Sequence, residues 1–333
     1  MEQANTPQSL PQLARQYCLG IKVLVNTAFQ PMYLLYAFLW VCTIEGAVTL
    51  TLGEAAWLPD SNTLLRSITL YFMLFYLTLI DEIKDFEYDS IYNPDRVLVS
   101  GALSLRQVVV TAVIIAATLL LINTSIFPFA TVMLLVDLFY GLLLLVIERR
   151  SERFKNNIIV NLIFTYPVQL MLSIYILISL LEQYQLLSNV TTLQVTWLIW
   201  LWPVIKMCVF MHYEFGRKIA WNDDNPNFYS NVLGPKASAL IACCFGLVGV
   251  TLLAYMLAFG ISLELTFERF AEQLIDNSTR IWLSGAVLFG QILLLIAGIW
   301  RFFNNRNKAY PQSFVVAFFF LFLISTPIQV LLF

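Results

Sequence analysis

The sequence predicts an all-α polytopic membrane protein with about nine transmembrane helices, and three observations carry that prediction. The chain of 333 residues is 59% hydrophobic and only 12% charged, far from the composition of soluble domains. Its mean hydropathy is +0.77. The apolar residues gather in runs of about 20, the length that crosses ~30 Å of hydrocarbon.

In chain order, hydropathy places the spans at about 31–52, 64–88, 105–122, 126–147, 157–181, 193–214, 237–261, 281–302 and 312–333. Residues 1–30 read as a cytoplasmic N-terminal segment whose 19–30 portion forms an interfacial amphipathic helix, and 31–333 as one membrane domain. The first residues lack the basic, apolar, small-residue order of a signal peptide. Loop 262–280 has the pattern of an amphipathic surface helix.

Loop charges set the expected orientation. Arg15, Lys22, Lys84, Arg96, Arg106, Arg149, Arg150, Arg153, Lys155, Arg217, Lys218, Lys236, Arg301, Arg306 and Lys308 fall on one side. Arg66, Arg269 and Arg280 fall on the other, and Lys206 lies inside a span. The positive-inside rule then predicts a cytoplasmic N-terminus and, after nine spans, a C-terminus on the opposite side. A net charge of −2 argues against nucleic acid as a partner. The five cysteines lack metal-ligand spacing and read as small buried hydrophobes.

The strongest chemical signal is the run of acids at the end of the second span: Asp81, Glu82, Asp85, Glu87 and Asp89. Asp81, Asp85 and Asp89 recur every four residues and share a face if the helix continues. Carboxylates stacked in low dielectric repel one another, so a cation must compensate. Mg²⁺ fits this role, because it uses one or two carboxylates plus phosphates and water. Asp81 and Asp89 would be about 12 Å apart along a helix axis, so Asp85 with one neighbour is the expected ligand pair. The following Asn93-Pro94-Asp95-Arg96 turn supplies a guanidinium suited to phosphate oxygens.

These residues, with Leu98-Val99-Ser100-Gly101 after them, resemble the first motif of the UbiA superfamily of intramembrane prenyltransferases, N-D-x-x-D-x-x-x-D followed by P-x-R-P and S-G. Here Asp81 stands for Asn, Glu82 for Asp and Val97 for the second Pro. The resemblance implies a second motif, D-x-x-x-D, between the sixth and seventh spans. Glu214 matches its first Asp and Lys218 reverses the charge of its second. Two outcomes are open: a second metal site of Glu214 with Asp223 or Asp224, or a cationic diphosphate contact through Lys218. Arg217 and Lys218 also suit ordinary positive-inside flanks.

Other polar residues receive lesser roles. Lys206, two turns before Glu214, should face a polar cavity or a carboxylate, and is a candidate to hold the diphosphate or guard the leaving group. Glu45 and Asp137 suit helix pairing or a protonated carboxyl, and Asn161 and Gln169 suit interhelical hydrogen bonds. His212, the one histidine, is a weak general-base candidate. Among many aromatic rings, Tyr88 and Tyr213 lie near the motifs.

The expected protein is therefore a membrane enzyme with helices around a central cavity and a polar mouth on the cytoplasmic side. Asp81, Asp85, Asp89, Glu214, Asp223 and Asp224 are its metal candidates. Arg96, Lys206 and Lys218 are its diphosphate candidates, and Asp85 and Lys206 its catalytic ones. The resemblance implies Mg²⁺-dependent ionisation of an isoprenyl diphosphate and capture of the allylic cation by a lipophilic, aromatic acceptor. A membrane terpene cyclase needing no acceptor is the alternative. A channel or transporter would also carry membrane acids, but would show inverted repeats or broken mid-membrane helices.

Overall fold

A computed structural model describes residues 10–52, 57–155, 157–185, 196–222, 225–262, 278–306 and 308–332. These residues are dominated by helix: α1 (Leu10–Thr27), α2 (Met32–Leu52), α3 (Ser61–Lys84), α4 (Phe86–Tyr92), α5 (Leu105–Ile126), α6 (Pro128–Arg150), α7 (Glu152–Lys155), α8 (Ile158–Thr165), α9 (Pro167–Gln183), α10 (Leu201–Arg217), α11 (Tyr229–Leu233), α12 (Pro235–Ser262), α13 (Ser278–Asn304) and α14 (Gln312–Leu332). Among the described residues, eight spans are long and apolar enough to cross a membrane, with α8 and α9 counted together. A further apolar helix, Gln312–Ile328, is shorter. The chain is a multi-pass membrane protein. Asp223, Asp224 and most of loop 262–280 lie outside the described residues.

Local chemistry explains the main boundaries. Ser104 starts α5 with a capping box: its Oγ accepts from the Gln107 amide, and the Gln107 side chain accepts from the Ser104 amide. Prolines 128 and 167 occupy first turns, where the missing N–H costs nothing. Pro167 also divides the fifth predicted span into α8 and α9. The predicted second span, 64–88, stops at Lys84 instead, and Asp85 (φ −91°, ψ 10°) separates α3 from α4. The backbone ladder nonetheless passes through: the Asp85 amide donates to Asp81 O and the Asp89 amide to Asp85 O, both at 2.8 Å.

The chain forms two compact units, Met1–Ala37 with Ser67–Glu152 and Phe38–Arg66 with Arg153–Phe333. In the first, α1 lies so close to the loop before α5 that a Cβ at Gly20 would collide with Leu103 and the Ala102 carbonyl. Tyr17 and Thr111 share a 2.6 Å hydrogen bond. Leu121, Phe129 and Phe139 are exposed along α5 and α6, as expected of surfaces solvated by lipid. All five cysteines are free, but only Cys42 is buried, while Cys18 and Cys244 are exposed. The expected burial of all five is corrected accordingly.

The second unit is organised around a buried ion pair. Arg66 Nη1 donates to Glu45 Oε1 at 2.6 Å, and neither side chain is exposed by more than 1%. Arg66 also donates to Ser179 Oγ, the Ser179 carbonyl and Gln183 Oε1. Glu45 Oε2 accepts from Trp57 and Thr63. The expected pairing of Glu45 is thus realised, whereas Arg66 is no loop flank but a buried group on α3. Elsewhere in this unit, Met211, Phe215, Tyr229, Phe302 and Tyr310 share one core. The Tyr310 amide donates to Ile219 O, and Trp221 Nε1 to Phe302 O, which fixes the turn after α10.

Breaking one side of a buried pair leaves the other charge uncompensated, at a cost of about 3–5 kcal/mol. Arg66→Met should therefore lower thermal stability in detergent sharply. The double variant Glu45→Gln/Arg66→Met should recover part of the loss, and equal losses in the two would refute the pairing.

Candidate functional site

The first acidic motif sits where α3 gives way to α4, and it divides around two cations. Lys84 Nζ lies 3.1 Å from Asp81 Oδ1, 3.8 Å from Asp85 Oδ1 and 3.6 Å from Glu148 Oε2. Arg96 Nη1 donates to Glu82 Oε1 at 2.7 Å, and its Nε lies 3.7 Å from Asp89 Oδ2. Asp89 Oδ1 accepts from Asn93 at 2.6 Å. Asp81 and Asp85 are thus brought together, while Asp89 is grouped with Glu82.

The loop after α4 exists to deliver Arg96. Its amide donates to Asn93 O, the Ser100 amide to Arg96 O, and the Leu103 amide to Val97 O. Gly101 closes the turn at φ +71°, a conformation that costs a side-chain-bearing residue about 1–2 kcal/mol. The Gly of the sequence motif is thereby a backbone requirement.

Electrostatics distinguish the members. Burial, opposed by Lys84 and reinforced by Asp81, Glu148 and Asp89, pushes the Asp85 carboxyl above the usual carboxylate range. Its side chain is still 40% exposed, so water reaches it. Burial works against the charge of Arg96, but Glu82 and Asp89 outweigh it and hold the guanidinium firmly protonated. Glu82 Oε2 is buried, with the Leu98 backbone amide beside the carboxylate and no hydrogen bond of ordinary geometry to that oxygen. Glu82 was quoted in the motif but not expected as a site residue. Its i, i+7 spacing to Asp89 was the available signal.

No group of three or more His, Cys, Asp or Glu side chains is close enough to hold a metal among the described residues. Mg²⁺ does not require one, since phosphates and water complete its shell. The water-accessible Asp85 carboxyl fits such a partial donor set.

The second motif differs. Glu214, buried on the last turn of α10, has one oxygen bonded to Arg217 Nε and the other 2.6 Å from Lys218 Nζ. Lys218 also lies 5.7 Å from the Tyr229 ring, which stacks on Phe215. With both oxygens taken by cations, Glu214 does not fit a metal-binding role in this arrangement. Lys206, two turns earlier on α10, is wholly buried. Its Nζ donates to Gln169 Oε1 at 2.9 Å and lies over the Trp40 ring, 2.7 Å from its centroid. Gln169 is the interhelical hydrogen-bonding group expected of it. His212 is buried, with Nδ1 2.8 Å from the Ala242 carbonyl, so that nitrogen is the donor and is committed to packing. Tyr88 stacks on Tyr92, and Tyr213 on Phe319.

No family model matches this chain, and no curated protein sequence matches it. A solved structure from work on digeranylgeranylglyceryl phosphate synthase in membranes is similar to it, with a TM-score of 0.56 over 97% of this chain and 100% of the other. Their identity is 16%, so the likeness is one of fold.

Glu82→Gln removes the charge that anchors Arg96. Amide hydrogen exchange at Arg96, Ser100 and Gly101 should then rise about tenfold or more, the loss of a charge-assisted bond. Unchanged exchange would show that the loop holds Arg96 unaided.

Proposed function

We propose that this protein is an intramembrane prenyltransferase of the UbiA type, transferring an isoprenyl group from its diphosphate to a lipophilic acceptor. The observation that carries this reading is the charge balance of the first motif. Between Asp81 and Arg96 six carboxylates face two cations, at the end of an apolar helix. Such an excess calls for a mobile cation, and a diphosphate is the anion that brings one. The fold likeness to the prenyl-lipid synthase supports the same reading.

Asp85 with Asp81 or Asp89, both close enough to act on its charge, would hold Mg²⁺. When bound, Mg²⁺ draws negative charge onto the diphosphate oxygens as the C–O bond ionises. Arg96 orients the diphosphate with the part of its guanidinium fork not bonded to Glu82. Glu82 and Asp89 keep that fork in place. Lys206 and Lys218 are further diphosphate candidates: Lys218 is half-buried beside Glu214, and Lys206 would have to leave its bond to Gln169. The apolar spans accept the prenyl tail, and aromatic faces shield the allylic cation from water. The motif faces the cytoplasm in this proposal.

The full-length protein in detergent is incubated with C10, C15 or C20 prenyl diphosphates, with Mg²⁺ or EDTA, and with or without a lipid extract. Diphosphate release should require Mg²⁺ and fall about 10²-fold or more in Asp85→Asn and in Arg96→Gln. Release that survives both EDTA and Asp85→Asn would end the metal mechanism. A cyclic hydrocarbon formed without lipid extract would turn the assignment to a terpene cyclase.

A further inference from the structure

The helix α1 presents two unlike faces. Tyr17, Gly20 and Leu24 follow one another at i, i+3 and i+7 and share the side turned to the protein. Leu24 is fully buried, and Gly20 leaves no room for a Cβ against Leu103 and the Ala102 carbonyl. Tyr17 is hydrogen-bonded to Thr111 on α5. Leu103 is itself buried, and its amide donates to the carbonyl of Val97, the residue after Arg96. The helix therefore rests directly on the loop that delivers Arg96.

The other side is turned away from the protein, where Arg15, Cys18, Leu19 and Lys22 are exposed. Along one edge of it Ala14, Cys18, Ile21 and Val25 recur at i, i+4, i+7 and i+11, each exposed or half-buried. Arg15 and Lys22 each follow a member of this stripe by one residue, so the cations run beside the apolar atoms. The helix holds no acidic residue to answer either charge. An apolar stripe edged by cations fits a surface that offers hydrocarbon and negative charge together. A bilayer with anionic headgroups is such a surface: the stripe enters the acyl boundary and the cations lie level with the phosphates. A second copy of the chain would bring the same two cations to the same face.

We propose that the outward face of α1 is a binding surface for anionic phospholipid headgroups, and that lipid bound there steadies the Arg96 loop. Arg15 and Lys22 are the headgroup contacts. Gly20 and Tyr17 pass the restraint to Leu103 and to the start of α5. The proposal rests on where the Arg96 loop lies and not on the reaction proposed for it.

The test is amide hydrogen exchange on the full chain, one copy per nanodisc, in phosphatidylcholine with and without phosphatidylglycerol. Residues 10–27 and 97–103 should both exchange more slowly in the anionic discs. Arg15→Gln and Lys22→Gln should each give back about fivefold of the protection of α1, and the double variant should exchange alike in both discs. Salt at about 1 M, where charges are screened beyond about 3 Å, should do the same to the unaltered protein. Gly20→Leu pushes α1 off the loop, and Tyr17→Phe removes only the bond to Thr111. In Gly20→Leu the lipid response of 97–103 should vanish while that of α1 persists, and in Tyr17→Phe it should weaken. Equal exchange in the two discs, or a lipid response that survives loss of both cations, overturns the proposal. So does a loop that still follows the lipid in Gly20→Leu. Protection that appears only with two copies per disc gives the face to a second copy and overturns it as well.

Discussion

A carboxylate at the edge of hydrocarbon must be met by a cation, and the pair of Glu82 with Arg96 meets that demand for the first motif. Two unit charges 4 Å apart interact by about 4 kcal/mol at an effective dielectric of 20, more than a turn of loop can recover by itself. The chain between α4 and α5 is folded around this bond. The Asn93 turn lifts Arg96 back toward α3, and Gly101 allows the chain to reverse afterwards. The loop's conformation and the site's charge are consequently one problem with one solution.

The two motifs use the same residue types to opposite ends. In the first, carboxylates outnumber cations, and Lys84 serves Asp81, Asp85 and Glu148 together. In the second, two cations share the single carboxylate of Glu214. The first arrangement is short of positive charge and the second of negative charge. The ion pair of Glu45 and Arg66 is a third case: its donors and acceptors are matched by Ser179, Gln183, Trp57 and Thr63. A set so fully satisfied has no capacity left for a ligand, and its role is to join helices.

Hydropathy made the helices legible because each apolar run is as long as the bilayer is thick, and most ends fall within a few residues of the predicted ones. What it missed was set by hydrogen bonds and turns. The stretch 64–88 reads as one span, but the polar run from Asp81 onward leaves hydrocarbon, and Asp85 takes up a bend that no Pro or Gly announces. The acidic cluster was legible through its i, i+4 spacing. Its partners were not: Arg96 lies 14 residues from Glu82, and Gln169 lies 37 from Lys206. Arg66 was misread as a flank for the same reason, since its partner Glu45 is 21 residues away across a turn.

The departure at Lys218 shows how small a change separates the two kinds of motif. Two acids spaced i, i+4 share a helix face, repel, and are stable together only around a cation brought from outside. Replacing the second with Lys turns repulsion into an internal ion pair, and Arg217 adds a second cation from the same turn. Lys218 caps the end of α10, four residues from Glu214 and beside the core that holds Phe215, Tyr229 and Tyr310. The charge that this position presents is set by one side chain.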